Sequence, residues 1–233
     1  MLDTLVDTFL RGRLGVQLLC DHYVALHKKK PHGGVSVQCY LTDVVEDAVT
    51  ESRHICDAHF ENTPQVLVQI PQDATITLIR PWVHHALTEL LKNVLATSVS
   101  SETCPPIYLK LEECNDFMSL CVIDQGAGVS DVEEAFRFAS SSAGKRWERL
   151  DEQQSYAMVR SPLQSLGVGL PLSRMLLQHF HGNVTLSNNS GDIGGCTAAI
   201  HLNKDDILFE NQVDEGPANN VKMLQVDEYT YNT

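Results

Sequence analysis

The chain has 233 residues, 43% of them hydrophobic, and a formal net charge of −13 at pH 7. Its length suits one large domain or a small one with appendages, and its hydrophobic content suits a globular core. The acidic charge argues against nucleic acid as the main ligand, because phosphate backbones are bound by basic patches. A single bound nucleotide is compatible with it, since backbone amides and a metal ion can hold phosphates.

Cysteine usage and hydropathy narrow the class of protein further. The seven cysteines are an odd number without CxxC spacing, which predicts scattered reduced thiols rather than a disulfide framework or a zinc site. No apolar run approaches the length of a membrane span. The N-terminal segment carries acidic residues early and has the composition of neither a secretory signal nor a clear transit peptide.

Residues 3 to about 28 are predicted to form one long helix with apolar residues on more than one side. Such a helix needs several neighbours, so it predicts either the last helix of a bundle whose other helices are missing or a contact between two copies of the chain. Three lysines suit its C-terminus, and Pro31 with Gly33 then breaks the chain. We expect the helix in 1–32, the main domain in 33–203, and an acidic, partly disordered tail in 204–233.

The main domain mixes strands and helices. Strands are predicted at 35–40, 65–70, 74–79, 107–112, 118–123, 183–187 and 197–202. Helices are predicted at 42–60, 81–100, 131–139 and 169–181, and a long lid-like loop at 140–166. Thr42 or Asp43 is expected to cap the first of these helices, and Gly182 to be the C′ residue of the last. We expect 65–70 and 74–79 to pair as a hairpin. Adjacent strand pairs predict an α+β sandwich, with helices on one face of a mixed sheet.

The helix predicted at 81–100 carries a polar stripe. His85, Glu89 and Asn93 recur every four residues, and Lys92 follows Glu89 by three, so these side chains lie roughly above one another. A base, a carboxylate and an amide oxygen on one stripe can handle a proton and a metal ion. By itself the stripe is more typical of the solvated face of an amphipathic helix.

Three glycine-containing motifs follow in the chain. Residues 124–128 (DQGAG) come after an apolar strand, where a carboxylate can accept from an adenine amine and glycines let backbone approach a planar base. Residues 165–171 (SLGVGLP) open a helix, whose first amides favour a phosphate. Residues 194–197 (GGCT) lie between two strands and can place a hydroxyl beside the base. Each motif alone is more typical of an ordinary turn or helix start.

The order of these four motifs resembles the N, G1, G2 and G3 boxes of the GHKL (Bergerat) ATP-binding fold, shared by type II topoisomerases, a heat-shock chaperone, histidine kinases and mismatch-repair ATPases. A narrower resemblance, over residues 10–203, is to the mitochondrial 2-oxoacid dehydrogenase kinases. It is carried by residues 13–27 (RLGVQLLCDHYVALH), 85–93 (HALTELLKN), 123–128 (IDQGAG) and 167–174 (GVGLPLSR). Residues 25–68 favour the branched-chain kinase and His85 favours the pyruvate dehydrogenase kinases, so both targets stay open.

This resemblance implies a protein serine kinase in the mitochondrial matrix that uses ATP and magnesium to phosphorylate the decarboxylase subunit of a 2-oxoacid dehydrogenase complex. It implies that Glu89 is the general base, that His85 orients it, and that Asn93 is the magnesium ligand. The implied ATP-binding residues are Lys92, Asn93, Asp124, Gly126, Gly128, Ser141, Ser142, Ser165, Leu166, Gly167, Val168, Gly169, Leu170 and Thr197.

Three features depart from the family's pattern. Ala96 stands where the family usually has arginine, and Cys196 where a glycine is expected. A single helix represents the multi-helix N-terminal domain, which carries the family's lipoyl-domain docking surface. Two alternatives therefore stay open: a non-catalytic ATP-binding module, and a histidine autokinase that uses His22 or His27, which lack the usual His-Glu/Asp-hydrophobic-Arg context.

Overall fold

A computed structural model describes residues 2–58, 60, 62–99, 104–138, 167–189 and 194–205. The helices of these ranges are α1 (Leu2–His27), α2 (Leu41–Asp57), α3 (Arg80–Val99), α4 (Val132–Ala135) and α5 (Gly169–Gln178). Their strands are β1 (Ser36–Tyr40), β2 (Val66–Gln69), β3 (Thr75–Leu78), β4 (Ile107–Glu113), β5 (Phe117–Ile123), β6 (Asn183–Asn188) and β7 (Cys196–Asn203). The predicted lid at 140–166 and nearly all of the tail lie outside the described residues.

The main sheet has five strands in the order β2-β4-β5-β7-β6. Strands β2 and β4 run parallel, and the other neighbours are antiparallel, so the sheet is mixed. One face packs against helices α2, α3 and α5 in a single core that includes Leu87, Leu120 and Ile200. The predicted α+β sandwich is therefore confirmed.

The predicted hairpin between 65–70 and 74–79 is wrong. Strand β3 pairs antiparallel with β1, with Ser36 opposite Leu78. Strand β2 instead pairs parallel with β4, with Val66 opposite Ile107. Helix α3 carries the chain across the sheet between them, so β4 enters in the same direction as β2. The short spacing between the two runs allowed a hairpin, but it held no information on the actual partners.

Helix starts and lengths differ from the predictions in two places. No side chain caps α2: Tyr40 is the N-cap residue, and the Leu41 amide donates to the carbonyl of Ala74 at 3.0 Å. A backbone carbonyl from the neighbouring segment thus replaces the expected cap at Thr42 or Asp43. Helix α4 is shorter than the predicted 131–139 and is capped by Asp131, whose Oδ1 accepts from the Glu134 amide at 2.9 Å.

The C-terminal end of α5 also differs in detail. The left-handed residue that ends this helix is His181, with a φ of 55°, so the prediction of Gly182 at that position is wrong. The Gly182 amide donates to the carbonyl of Leu177 at 3.0 Å. A Cβ at Gly182 would lie 2.5 Å from the carbonyl oxygen of His201. Glycine is needed there because β7 passes close by.

Helix α1 packs on the main domain through one side only. Leu14 and Leu18 contact a cluster formed by Ile79, Trp82 and Leu176. The other side exposes large apolar side chains, namely Leu5, Phe9, Val16, Leu19, Tyr23, Val24 and Leu26. None of the helices in the described ranges, α1 included, has the length and apolar content that a membrane crossing requires.

Lys29, two residues after the end of α1, is a position where a substitution is expected to stabilise the fold. Lys29 has a φ of 61°, and the Lys30 amide donates to the carbonyl of Ala25 at 3.0 Å, which is the pattern of a helix end that favours glycine. We expect Lys29→Gly to raise the free energy of unfolding by about 1 kcal/mol, because glycine adopts this conformation without steric cost. Urea denaturation measures the change. Lys30→Gly removes the same charge and should give no gain, and an equal gain in both variants would contradict the explanation.

Candidate functional site

Helix α3 carries the predicted polar stripe, and the structure buries much of it. Apolar side chains surround the helix on most sides, and Glu89 is only 9% exposed. A buried carboxylate needs a charged or hydrogen-bonding partner. The stripe is therefore not the solvated face that its spacing alone favoured.

Glu89 has that partner one turn along the same helix. The Lys92 Nζ lies 2.5 Å from Glu89 Oε1, and the two side chains are 14% and 12% exposed. On the other side, a Cβ added to Gly169 would collide with Glu89 Oε2. The carboxylate thus lies between Lys92 and the first residue of α5, which joins two of the predicted motifs in space.

His85 lies one turn before Glu89 but is not hydrogen-bonded to it. Its Nε2 atom is buried and has no hydrogen-bond partner among the described residues. Burial lowers the pKa of His85 from its ordinary value, and the nearby Glu89 charge acts in the opposite direction. The imidazole is therefore mainly neutral at pH 7. Orientation of Glu89 by His85 stays a prediction.

The lowered pKa of His85 predicts a pH dependence of stability. The unfolded chain binds a proton at this ring more readily, because its pKa there returns to about 6.5. The contribution of the neutral His85 ring to the free energy of unfolding is complete above the unfolded-state pKa, and it is lost as the pH falls through the lower pKa of the folded state. We expect urea denaturation to show a lower free energy of unfolding at about pH 5.5 than at about pH 7.5.

His85→Phe removes this ring from the titration and should weaken that dependence. His179 and His201, whose pKa values burial also lowers, keep part of it. An unchanged pH dependence in the variant would contradict the assignment to His85.

Asp124 follows β5, and its two carboxylate oxygens differ in their hydrogen bonding. It is 6% exposed. Oδ1 accepts from the amide of Gly126 at 2.7 Å and from that of Cys196 at 3.3 Å. No donor from the described residues reaches Oδ2. One oxygen therefore shapes the loop, and the other is free to accept a hydrogen bond from a ligand amine.

The predicted glycine turn before β7 packs directly on Asp124. Gly195 has a φ of 89°, and a Cβ there would collide with the carbonyl oxygen of Asp124. Cys196, which stands where a glycine is expected, is 5% exposed. Its carbonyl accepts a hydrogen bond from the Asp124 amide at 3.0 Å. Burial, followed by the Asp124 charge, raises the pKa of its thiol, which therefore stays neutral. The positive φ falls on Gly194 and Gly195, so position 196 accepts a side chain.

Asn189 is a site residue that the sequence analysis missed. Its Nδ2 donates to the carbonyls of Asp124 at 3.1 Å and Gly194 at 3.2 Å. Its Oδ1 accepts from the Thr197 hydroxyl at 2.6 Å. Thr197 thus reaches the Asp124 loop through this amide.

Asn188, its neighbour, holds the other end of the same loop and was also missed. Its side chain accepts from the Val129 amide at 2.7 Å and donates to the Val129 carbonyl at 2.8 Å. Gly128 has a φ of 76°, and a Cβ there would lie 2.7 Å from Asn188 Oδ1. Two consecutive asparagines before a glycine-rich turn are the sequence feature that could have identified both residues, because amide side chains bond readily to loop backbone.

The start of α5 leaves its first amides without a side-chain cap. Gly167 has a φ of 72°, and Val168, the N-cap residue, makes no side-chain cap bond and is 39% exposed. Uncapped amides at a helix N-terminus favour an anion. Leu170 packs on the hydrophobic core. The remaining predicted site residues, Ser141, Ser142, Ser165 and Leu166, lie outside the described residues.

Asn93 is the residue that the resemblance implies as a magnesium ligand, and its surroundings suit that role. It is half-buried on α3, and its side-chain amide has no hydrogen-bond partner in the described part of the chain. An amide oxygen is a suitable hard ligand for Mg²⁺, which commonly takes one or two protein ligands and completes its shell with phosphates and water. In the same ranges no group of three His, Cys, Asp or Glu residues could hold a metal ion alone. The residues therefore fit a magnesium ion that arrives with a nucleotide.

The two histidines of α1 differ in their surroundings. His22 Nδ1 accepts from the Gly34 amide at 3.2 Å, and its ring packs against Gly33. His27 is exposed. His22 therefore helps to fix the chain after α1. This structural role explains its contacts without a function as a phosphoacceptor.

The mixed sheet, the buried glutamate of α3, the aspartate after β5 and the glycine turn on it define a nucleotide-binding domain of the GHKL class. The chain belongs to the family of histidine kinase-, DNA gyrase B- and HSP90-like ATPases, whose model matches residues 79–206. Its relatives include mitochondrial pyruvate dehydrogenase kinases, which confirms the narrower resemblance predicted from the sequence.

Three mitochondrial pyruvate dehydrogenase (acetyl-transferring) kinases illustrate this similarity. The one from Drosophila melanogaster is 28% identical over 221 residues, which cover 84% of this chain and 51% of that protein. The one from Schizosaccharomyces pombe is 24% identical over 212 residues, or 85% and 49% of the two chains. Isozyme 4 from Homo sapiens is 25% identical over 215 residues, or 84% and 50%. The chain spans about half the length of the curated relatives it matches.

Proposed function

We propose that this chain is an ATP-dependent protein kinase that phosphorylates a serine of the decarboxylase subunit of a mitochondrial 2-oxoacid dehydrogenase complex. The observation that carries the proposal is the contact between Glu89 and Gly169. It places a buried carboxylate beside the uncapped start of α5, where a phosphate would be held. The related chains are named as mitochondrial pyruvate dehydrogenase kinases, which supports a dehydrogenase complex as partner and a mitochondrial location. The decarboxylase subunit and the matrix are the finer assignments that we propose.

Adenine recognition is assigned to the loop around Asp124. The free Oδ2 accepts from the exocyclic amine of adenine, and Gly126 and Gly128 leave room for the ring. Thr197 supports this loop through Asn189. Residues 167–169 hold the phosphates through backbone amides at the start of α5.

Phosphoryl transfer is assigned to α3. Glu89 accepts the proton of the substrate hydroxyl, His85 orients the carboxylate, and Lys92 offsets phosphate charge. Asn93 would hold the magnesium ion, which supplies charge neutralisation to the phosphates when bound. Ala96 leaves α3 without the cation that the family usually has in the next turn, so fewer positive groups stabilise the phosphates.

Incubation of the full chain with radiolabelled ATP and magnesium tests this function. The pyruvate and branched-chain decarboxylase subunits are offered side by side, and we expect acid-stable phosphate on a serine of one of them. ATP binding without transfer to either subunit would support a non-catalytic nucleotide-binding module instead. Acid-labile phosphate on the chain itself would support a histidine autokinase.

A further inference from the structure

The ion pair between Glu89 and Lys92 occupies groups that the proposed reaction needs elsewhere. The two charged atoms are 2.5 Å apart and both side chains are largely buried, so solvent screens their attraction only weakly. Lys92 has no second anionic partner in the described ranges. While the pair is formed, the lysine cannot bind phosphate fully, and the carboxylate oxygen it contacts cannot accept a proton.

The second carboxylate oxygen of Glu89 lies against the other predicted phosphate-binding element, the start of α5. Glu89 Oε2 lies so close to Gly169 that a Cβ there would collide with it. Gly169 begins α5, whose N-terminus carries partial positive charge from its unpaired amides. The carboxylate therefore contacts both a cation and the positive end of a helix, which are the two partners that a phosphate group would take.

His85 offers the carboxylate a second position on the same helix. Its buried Nε2 has no hydrogen-bond partner among the described residues, which is unfavourable for a polar atom removed from water. Residues four apart on a helix are neighbours, so a carboxylate at Glu89 can reach the ring by a change of rotamer. The unpartnered nitrogen is explained if its partner is present only in another state of the site.

We infer that Glu89 is an internal substitute for nucleotide phosphate. In the free protein its carboxylate holds Lys92 and faces the start of α5. A bound triphosphate takes over both partners, and Glu89 turns to the unpartnered nitrogen of His85. The inference rests on the proposed ATP-binding function and adds an order to it: the base becomes free only after the nucleotide is bound.

The inference makes an unusual prediction, that loss of the catalytic carboxylate strengthens nucleotide binding. We expect Glu89→Gln to bind ATP about tenfold more tightly than the unmodified chain, because Lys92 no longer has to leave an ion pair. Adenosine, which has no phosphate, should bind both proteins equally and also reports that the fold is intact. In a Lys92→Met background the gain from Glu89→Gln should become smaller, because only the contact of Glu89 with the start of α5 remains to be released.

Calorimetric titration of the full-length proteins with ATP and with adenosine measures these affinities. Glu113→Gln is the matched control: it removes the same charge from a lysine–glutamate pair of 2.6 Å at the end of β4, outside the site. It should leave ATP affinity unchanged. Glu89→Ala is a second variant and should show the same gain.

Three outcomes would overturn the inference. One is an ATP affinity in both Glu89 variants that is equal to or below that of the unmodified chain. Another is a gain of the same size for adenosine, and the third is a gain that is undiminished with Lys92→Met. Failure of the unmodified chain to bind ATP would overturn the proposed function as well, so the two failures are distinguishable.

Discussion

Replacing Glu89 by glutamine is expected to lower the proposed phosphoryl transfer to the decarboxylase subunit by about 100- to 10,000-fold, the usual contribution of a general base. Glutamine keeps the shape of the side chain but cannot accept the substrate's proton. The carboxylate is buried beside the start of α5, so bulk water cannot easily replace it. The rate of incorporation of radiolabelled phosphate into the subunit measures the loss.

The same glutamine substitution at Glu113, on an exposed ion pair, separates loss of the base from loss of charge. Transfer by Glu113→Gln should equal that of the unmodified chain. Transfer by Glu89→Gln at the unmodified rate would show that another group is the base. Together with tighter ATP binding, a low rate in Glu89→Gln would place the defect in the chemical step.

Replacing Asp124 by asparagine is the second substitution with a large expected effect. We expect ATP affinity to fall by at least about 100-fold, because the free oxygen that we assign to the adenine amine would become an amide NH2 group, which is a donor. The loop should keep its conformation, since the asparagine oxygen can still accept from the amides of Gly126 and Cys196. Calorimetric titration with ATP measures the change.

Asp131→Asn is the matched control for that experiment. Asp131 caps α4 through its Oδ1, and asparagine caps helices equally well. Its ATP affinity should be unchanged. An unchanged affinity in Asp124→Asn would contradict the assignment of Asp124 to the adenine amine, and a loss of affinity in both variants would point to a general effect of charge.

Local patterns predicted most of the elements of the fold. Alternating and helical periodicity placed α1, α3 and the strands of the main sheet within a few residues. The partners of β2 and β3 were not predictable in this way, because pairing depends on packing between distant segments. The start of α2 was mispredicted for a similar reason, since the amide of Leu41 is satisfied by the carbonyl of Ala74, outside the helix.

Residue chemistry placed Asp124 and the glycines after it in a loop that follows β5, as the structure has them. Their role in binding adenine stays a prediction. Residue chemistry did not show that Glu89 pairs with Lys92, since the three-residue spacing of these residues is equally common on solvated helices. Burial of the pair comes from α5 and from the core around α3, which only the fold brings together. Asn188 and Asn189 were missed because their role depends on the backbone groups that their side chains contact. Those contacts form only in the folded chain.

Adenine-specific nucleotide binding is tested most directly by calorimetric titration of the unmodified chain with ATP and with GTP in the presence of magnesium. We predict saturable binding of ATP and an affinity for GTP lower by at least about 100-fold, because in the proposed site GTP would present a carbonyl oxygen to Asp124 where ATP would present an amine. Absence of ATP binding, or equal affinity for the two nucleotides, would contradict the assigned site.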